Sequence, residues 1–230
     1  MSIFSGFPEE TVRFYQELAR HNNRDWFEAH KQDYKTQVLK PAQQFVLTMG
    51  ERLQTVAPEL VIDSRTTGSG AIFRIYRDTR FSPDKTPYKT FLGIWWWEGL
   101  RPKNENSGFY FQLEPEKLYL AVGIYILPPP LLKLYRDAVV HPELGIAVAH
   151  AVKQVTAIGV YQIGGIHYKR PPRGYDANHP NARFLLHNGL YAFIEDDIPR
   201  ELSSEALVEY CSVRFHEMAP IHHWLVKVLR

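Results

Sequence analysis

Apolar residues fall at helical spacing through the first quarter of the chain. Val12, Phe14, Tyr15, Leu18 and Ala19 follow Pro8, a good first-turn residue, and Asn22-Asn23 supplies a stop. Trp26, Phe27, His30, Tyr34, Val38 and Leu39 mark one side of a second helix starting near Asp25. Pro41 removes an interior hydrogen bond, so it kinks that helix or starts a third. The stripe of Phe45, Val46, Met49 and Leu53 then runs on to about Ala57.

From Ala71 the period shortens to two. Residues 71–78 predict a strand with Phe73 and Ile75 on one side and Arg74, Tyr76 and Asp78 on the other. Ser82-Pro83-Asp84-Lys85 predicts a type I turn, and Pro87 keeps Thr86 extended. Thr90 to Trp97 forms the second arm of this hairpin. That arm is apolar without interruption, which predicts a strand buried on both faces in the middle of a sheet. Core packing of Trp95, Trp96 and Trp97 is preferred to a stacking platform for bases or sugars.

Glu98 to Gly108 reads as a polar loop. Phe109–Leu113 and Leu118–Ile126 predict a second hairpin around Glu114–Lys117. Leu118, Leu120, Val122 and Ile124 fall on one side of its second strand, and Tyr119, Ala121, Gly123 and Tyr125 on the other. The small residues of that second side leave room for a ligand or a closely approaching helix.

Pro128-Pro-Pro130 opens a helix bearing Leu131, Leu134, Tyr135, Ala138 and Val139, and Pro142 stops it and starts another. Gly164-Gly165 interrupts a strand-like stretch. His179-Pro180 heads a short helix through Leu186, a strand covers Leu190 to Ile194, and Ser203 caps a last helix bent at Pro220. With no repeat and no linker, the pattern predicts one α+β domain over residues 4–229. It has a mainly antiparallel sheet flanked by helices from the N-terminal, middle and C-terminal parts of the chain.

Composition narrows this picture without changing it. The net charge of +2 argues against bulk nucleic-acid binding, so any basic character is local. Cys211 is the single cysteine, which excludes an intramolecular disulfide and fits a reducing cytoplasm. The start Met-Ser-Ile-Phe-Ser-Gly-Phe-Pro has neither a basic region nor an apolar signal core, and Leu118 to Leu127 is too short to span a bilayer. The expectation is a soluble, cytoplasmic protein with no membrane contact.

Charge does concentrate in two places. Arg74, Arg77, Arg80, Lys85 and Lys89 share one short segment with Asp78 and Asp84, hemmed in by apolar sequence. Several guanidinium groups together suit phosphate or carboxylate, but an Arg–Asp network that only braces the hairpin gives the same sequence. A second loop, Lys169 to Asp176, carries Lys169, Arg170 and Arg173, with Tyr175 and two prolines stiffening it. Folded together, the two segments make one cationic pocket.

The groups near such a pocket that can move protons are Asp78, Asp84, Asp176 and His179. The sequence has ten histidines, yet His216 stands about two helical turns from His222 and His223, too far for one ion without other ligands. His21 with His30 and His167 with His179 have no recognised ligand spacing, so no metal and no cofactor is predicted. No nucleophile elbow or phosphate-cradling glycine loop is present.

Three stretches carry a family likeness: Asn22-Asn-Arg-Asp-Trp-Phe-Glu-Ala-His-Lys31, Arg74 to Thr90, and Lys169 to Pro180. They resemble the bacterial and fungal family of uncharacterised proteins catalogued as domain of unknown function 2461. The resemblance implies a single α+β domain and three motifs acting as a set, with Asn23, Arg24, Trp26 and Lys31 contributing from the helical side. Tyr76, Tyr88 and Tyr175, in the same basic segments, are additional candidates for the site. It brings no activity, substrate or cofactor. It leads one to expect a basic residue after the short helix, where this chain has His187-Asn188.

The functional expectation is a cationic pocket for a small phosphate- or carboxylate-bearing ligand, held by Arg74, Arg77, Arg80, Lys85, Lys89, Lys169 and Arg173, with an enzymatic role left open. The alternatives are single-stranded nucleic-acid binding through the same cations, and a scaffold whose Arg–Asp network is structural. Oligomeric state is not legible.

Overall fold

The computed structural model describes residues 4–230. Met1 to Ile3, the opening of the stretch read above for an export signal, lies outside them. The chain begins with α1 (Glu9–Arg20), whose Phe14, Tyr15 and Leu18 are buried. Asn23 caps α2 (Arg24–Ala29), its side chain accepting from the Trp26 N–H at 3.0 Å. After the single turn α3 (Lys31–Asp33), a π-helical segment, Tyr34–Leu39, leads directly into α4 (Lys40–Leu53). Pro41 follows the π-helical turn and has no N–H to donate back into it, and the Thr11 hydroxyl donates to Gln37 O, the carbonyl four residues earlier.

The strands are β1 (Leu60–Val61), β2 (Leu92–Glu98), β3 (Gly108–Leu113), β4 (Lys117–Ile124), β5 (Gln162–Ile166) and β6 (His187–Asp197). They form one antiparallel sheet in the order β1-β2-β3-β4-β6-β5. Between β4 and β5 lie α5 (Pro129–Val140) and α6 (Pro142–Thr156), and the chain closes with α7 (Ala206–Leu229), which runs on through Pro220. This is an α+β fold in a single domain, as the pattern predicts. No helix among the described residues is long and apolar enough to cross a membrane.

Period-two alternation sends one set of side chains to the helices. Leu92, Ile94, Trp96, Phe109, Phe111, Leu113, Leu118, Leu120, Val122, Leu190, Ala192 and Ile194 are all buried. The helix α7 packs on β4 and β6, and α4 on β1 and β2. Trp96 is the pivot of this layer: its indole donates to Val46 O at 3.0 Å, and its ring meets Phe45 and Phe215 edge-on.

Several expected elements change form. Residues 71–78 make no regular strand. They pair with β2 through an isolated Ile72–Ile94 bridge and backbone bonds from Phe73 to Gly93 and from Trp95 to Ala71. Tyr76 and Tyr88 form a second isolated bridge. The turn falls at Thr79–Ser82, closed by Ser82 N–H on Thr79 O, and not at Ser82–Lys85. There the Asp84 carboxylate takes the Thr86 N–H and holds the chain open. β2 lies one place in from the sheet edge, covered outside by β1 and residues 71–73. Trp96, on the helix side, is buried, whereas on the other face Trp97 is buried and Trp95 only half-buried. Ser203 belongs to a 3-10 turn, Arg200–Ser203, and does not cap α7.

Gly123 adopts φ +138°, and a Cβ there meets Leu190 O at 2.2 Å in the adjoining strand. Gly123→Ala is expected to cost about 2–4 kcal/mol of stability, from backbone strain and a parted β4–β6 pair. Urea unfolding of the variant against the wild type measures it.

Candidate functional site

The 74–89 unit and the helix α2 meet as the motifs suggest, but through residues of their own choosing. Asn22 clasps Tyr88 with two bonds, its Nδ2 donating to Tyr88 O at 2.9 Å and its Oδ1 accepting from Tyr88 N–H at 3.1 Å. Tyr88 stacks on Phe27 at 4.3 Å. Trp26 stacks on His30 at 4.0 Å, and Lys31 pairs with Glu28, while Arg24 is exposed.

Within the unit most of the charge neutralises itself. Arg80 donates to Asp78 through Nε at 3.0 Å and Nη2 at 2.7 Å. Arg77 donates to Asp84 and to the Thr86 hydroxyl, and Lys85 to Thr79 O at 2.8 Å. Hydrogen bonds from Arg80 pull Asp78 down to about 2, and those from Thr86 and Arg77 do the same for Asp84. Both carboxylates therefore stay ionised at neutral pH, engaged in the hairpin tip's own hydrogen bonds.

The single cationic pocket is not formed. The unit joins β2 at its Leu92 end, while the Lys169–Asp176 loop leaves β5 at Ile166, opposite His187. Through the strand registers, His187 lies beyond Leu190, Ile124 and Gly108, at the Trp97 end of the sheet. Three strands separate β2 from β5, a lateral gap of roughly 19 Å at about 4.8 Å per strand. The two basic segments thus occupy opposite edges and opposite ends. The loop is fastened instead to α5, by Tyr175 donating to Asp137 at 2.7 Å and Arg136 lying over Tyr168 at 4.8 Å. Lys169 and Arg173 are exposed, and Asp176 and His179 each accept a backbone N–H two residues on.

The cavity with the most chemical character lies on the sheet face that the helices leave bare. It encloses about 680 Å³ and is lined by Phe73, Trp95, Asn104, Tyr110, Gln112, Tyr119, Ala121, Gly123, Tyr125, Tyr191 and Glu195 among others. The registers show why a hollow exists. Trp95, Tyr110, Ala121 and Phe193 form one cross-strand row, and Trp97, Gly108, Gly123 and Tyr191 the next. Gly108 and Gly123 occupy the centre of the second row and Ala121 stands beside Gly123's position in the first, with aromatic residues around them. Ring contacts run from Phe73 to Tyr110, Tyr119, Phe193, Tyr191 and Tyr125, with centroids 5.4–6.1 Å apart. The predicted open side of β4, Tyr119-Ala121-Gly123-Tyr125, forms part of this groove.

Three cations gather at the Phe73 end. Lys103 Nζ sits 4.5 Å and Lys89 Nζ 5.6 Å from the Phe73 ring centre. Lys89 donates to Arg74 O at 2.7 Å, and Lys103 to Gly70 O. Burial, and then the field of Lys89, outweigh the pull of Asp63 and bring Lys103 down to about 8. Burial and Arg74 lower Lys89 as well. Asp63, the nearby carboxylate, is already held bidentately by Arg65. Burial raises the Tyr110 and Tyr119 hydroxyls, which therefore remain neutral donors. Lys103 was concealed in a loop read only as polar, while Tyr110 and Tyr191 were detectable as the outward half of their strands' alternation.

A second constellation had no sequence signal. Ser107 Oγ lies 2.9 Å from His222 Nδ1, and His222 Nε2 lies 2.7 Å from Glu98 Oε2. All three are buried, at 2%, 0% and 6% exposure. A neutral imidazole satisfies every partner: Nε2–H donates to the carboxylate and Nδ1 accepts from the hydroxyl. Burial holds His222 below its ordinary value, and the imidazole hydrogen bond holds Glu98 below its own. No group of histidines, cysteines and carboxylates suited to a metal occurs among the described residues.

Fold and site define a single-domain α+β protein with an aromatic groove on the free face of its sheet. The sequence profile of the conserved hypothetical protein family DUF2461 matches residues 10–224, and the chain belongs to that family. A search of curated proteins finds no match.

Two outcomes follow from this geometry. Arg77→Ala is expected to loosen the hairpin tip at a cost of about 1 kcal/mol or less, because its partner Asp84 is more than half exposed. Hydrogen exchange then rises over residues 78–87 while the melting temperature barely moves. Second, both Glu98 and His222 bind protons less readily in the folded protein than in the unfolded chain. Their contribution is complete above the ordinary imidazole value of 6.5 and falls as pH drops below it, with a further fall below the carboxyl value of 4.5. His187, also held down by burial, acts in the upper window. His222→Gln is therefore expected to flatten, without abolishing, the pH dependence of the urea midpoint between about pH 6.5 and 5.

Proposed function

We propose that this protein binds a small organic anion in the groove, with a planar or ring-bearing body among Trp95, Tyr110 and Tyr119. The anionic group faces Lys89, Lys103 and Arg74. The observation carrying this reading is that Lys89 and Lys103 both lie against Phe73, a wall of the aromatic cavity. Burial, and then the field of a neighbouring cation, Arg74 for Lys89 and Lys89 for Lys103, depress each lysine. A bound carboxylate or phosphate relieves that repulsion. Of the cations in the 74–89 segment, Arg74 and Lys89 take part, while Arg77, Arg80 and Lys85 brace the tip. The groove volume of about 680 Å³ is that of a metabolite-sized site. A cytoplasmic setting fits the single cysteine, Cys211, buried and unpaired.

Single-stranded nucleic acid is the second reading, since aromatic side chains on an open antiparallel sheet also stack bases. Glu195 on the same face and a net charge of only +2 favour the small ligand.

Titration of Trp fluorescence with aromatic carboxylates, mononucleotides and their uncharged counterparts tests the proposal. Lys103→Gln is expected to weaken the charged ligands about tenfold or more and leave the neutral ones unchanged, whereas Tyr119→Ala weakens both. Equal affinity in wild type and both variants excludes the groove. An oligonucleotide affinity that falls steeply with salt supports the second reading.

A further inference from the structure

A second recess, of about 770 Å³, lies between α6 and the segment 179–183. Pro142, Ile146, His150, Lys153 and Thr156 line it from α6 at steps of three or four residues, so they form one stripe along that helix. This is the stripe that the helix does not bury: Val148, Ala151 and Val155 face the core, and Ile146 is 73% exposed. Across the recess stand His179, Pro180, Asn181 and Arg183. Asn181 ties this wall to α5 through its side chain, which donates to Val139 O at 3.1 Å.

Every charge this recess can carry is positive. No aspartate or glutamate lines it, and neither Lys153 nor Arg183 has an ion-pair partner among the described residues. Arg183 is held in place by lying over the Phe184 ring at 4.7 Å. Two of the histidines have fixed tautomers. His141 Nδ1 accepts the backbone N–H groups of Glu143 and Leu144, and His179 Nδ1 accepts that of Asn181. A backbone N–H can only donate, so both rings carry their proton on Nε2 and retain that N–H as a free donor.

We infer that this recess binds a small phosphate-bearing molecule. Lys153 and Arg183 supply the charge, and the Nε2–H groups of His141 and His179, with His150 beside them, supply directed donors. A tetrahedral dianion accepts from several directions at once, which suits donors arriving from two walls better than the planar fork of one carboxylate does. Ile146, Pro142 and Pro180 line an apolar portion that suits an organic body attached to the phosphate. The inference is independent of the sheet groove, which shares no residue with this recess.

The test is a titration of the full chain with inorganic phosphate, pyrophosphate and ribose 5-phosphate, read by calorimetry and by the NMR signals of the histidine side chains. Pyrophosphate and ribose 5-phosphate are expected to shift the rings of His141, His150 and His179 and to leave buried His222 unmoved. The double variant Lys153→Gln, Arg183→Gln is expected to lose at least tenfold in affinity, and the charge-preserving double variant Lys153→Arg, Arg183→Lys to keep most of it. Lys103→Gln, in the other groove, is expected to bind these probes normally. Absence of binding by all three probes, undiminished affinity in the glutamine double variant, or loss of binding in Lys103→Gln overturns the inference.

Discussion

A sheet that packs helices on one face only must divide its side chains between two solvents, and in this protein that division shapes everything else. The aliphatic and phenylalanine positions of β2, β3, β4 and β6 turn toward α4 and α7, where apolar burial is the main stabilising contribution. The alternate positions have no layer above them. They are filled by tyrosine and tryptophan, which carry a polar atom on an apolar ring and tolerate a half-wet surface, and by glycine and alanine, which leave the hollow between them. The groove is thus a by-product of the same alternation that makes the core.

The charged segments obey a second constraint: an ion that finds a nearby counter-ion contributes little field at a distance. Arg80 and Asp78, and Arg77 and Asp84, close on one another at the hairpin tip and leave it nearly neutral. Lys89, Lys103 and Arg74 have no such relief. Asp63, the carboxylate within reach, is engaged by Arg65, so the end of the groove keeps a surplus of positive charge inside partly buried surroundings.

The C-terminal helix is held to this sheet by more than apolar contact. His222 reaches from α7 between Ser107 and Glu98, and Arg230 and Arg101 fasten the last turn, through Glu59 and Leu229 O respectively. Burying an imidazole and a carboxylate together is tolerable only because each hydrogen-bonding position is filled. The arrangement has the membership of a catalytic triad without its access to substrate, and it acts as a polar clamp between helix and strand.

The sequence by itself determined most of the helices and the strands β2, β3, β4 and β6, because local spacing decides which residues share a face, whereas residues 71–78 became only bridged. The helical stripes, the alternation of β4 and the α+β class are all consequences of that spacing, and the alternation of β4 already marked Tyr119, Ala121, Gly123 and Tyr125 as a face with room. Motif likeness paired the Asn22 and Arg74 stretches, which do meet. The site was legible only in part, because strand order and direction are set by contacts between distant segments. They carried the Lys169 loop to the far corner of the sheet, brought Lys103 from a polar loop against Phe73, and placed His222 between Ser107 and Glu98. Which charges stand free, and which cancel, depends on distances of a few ångströms that only the tertiary structure decides.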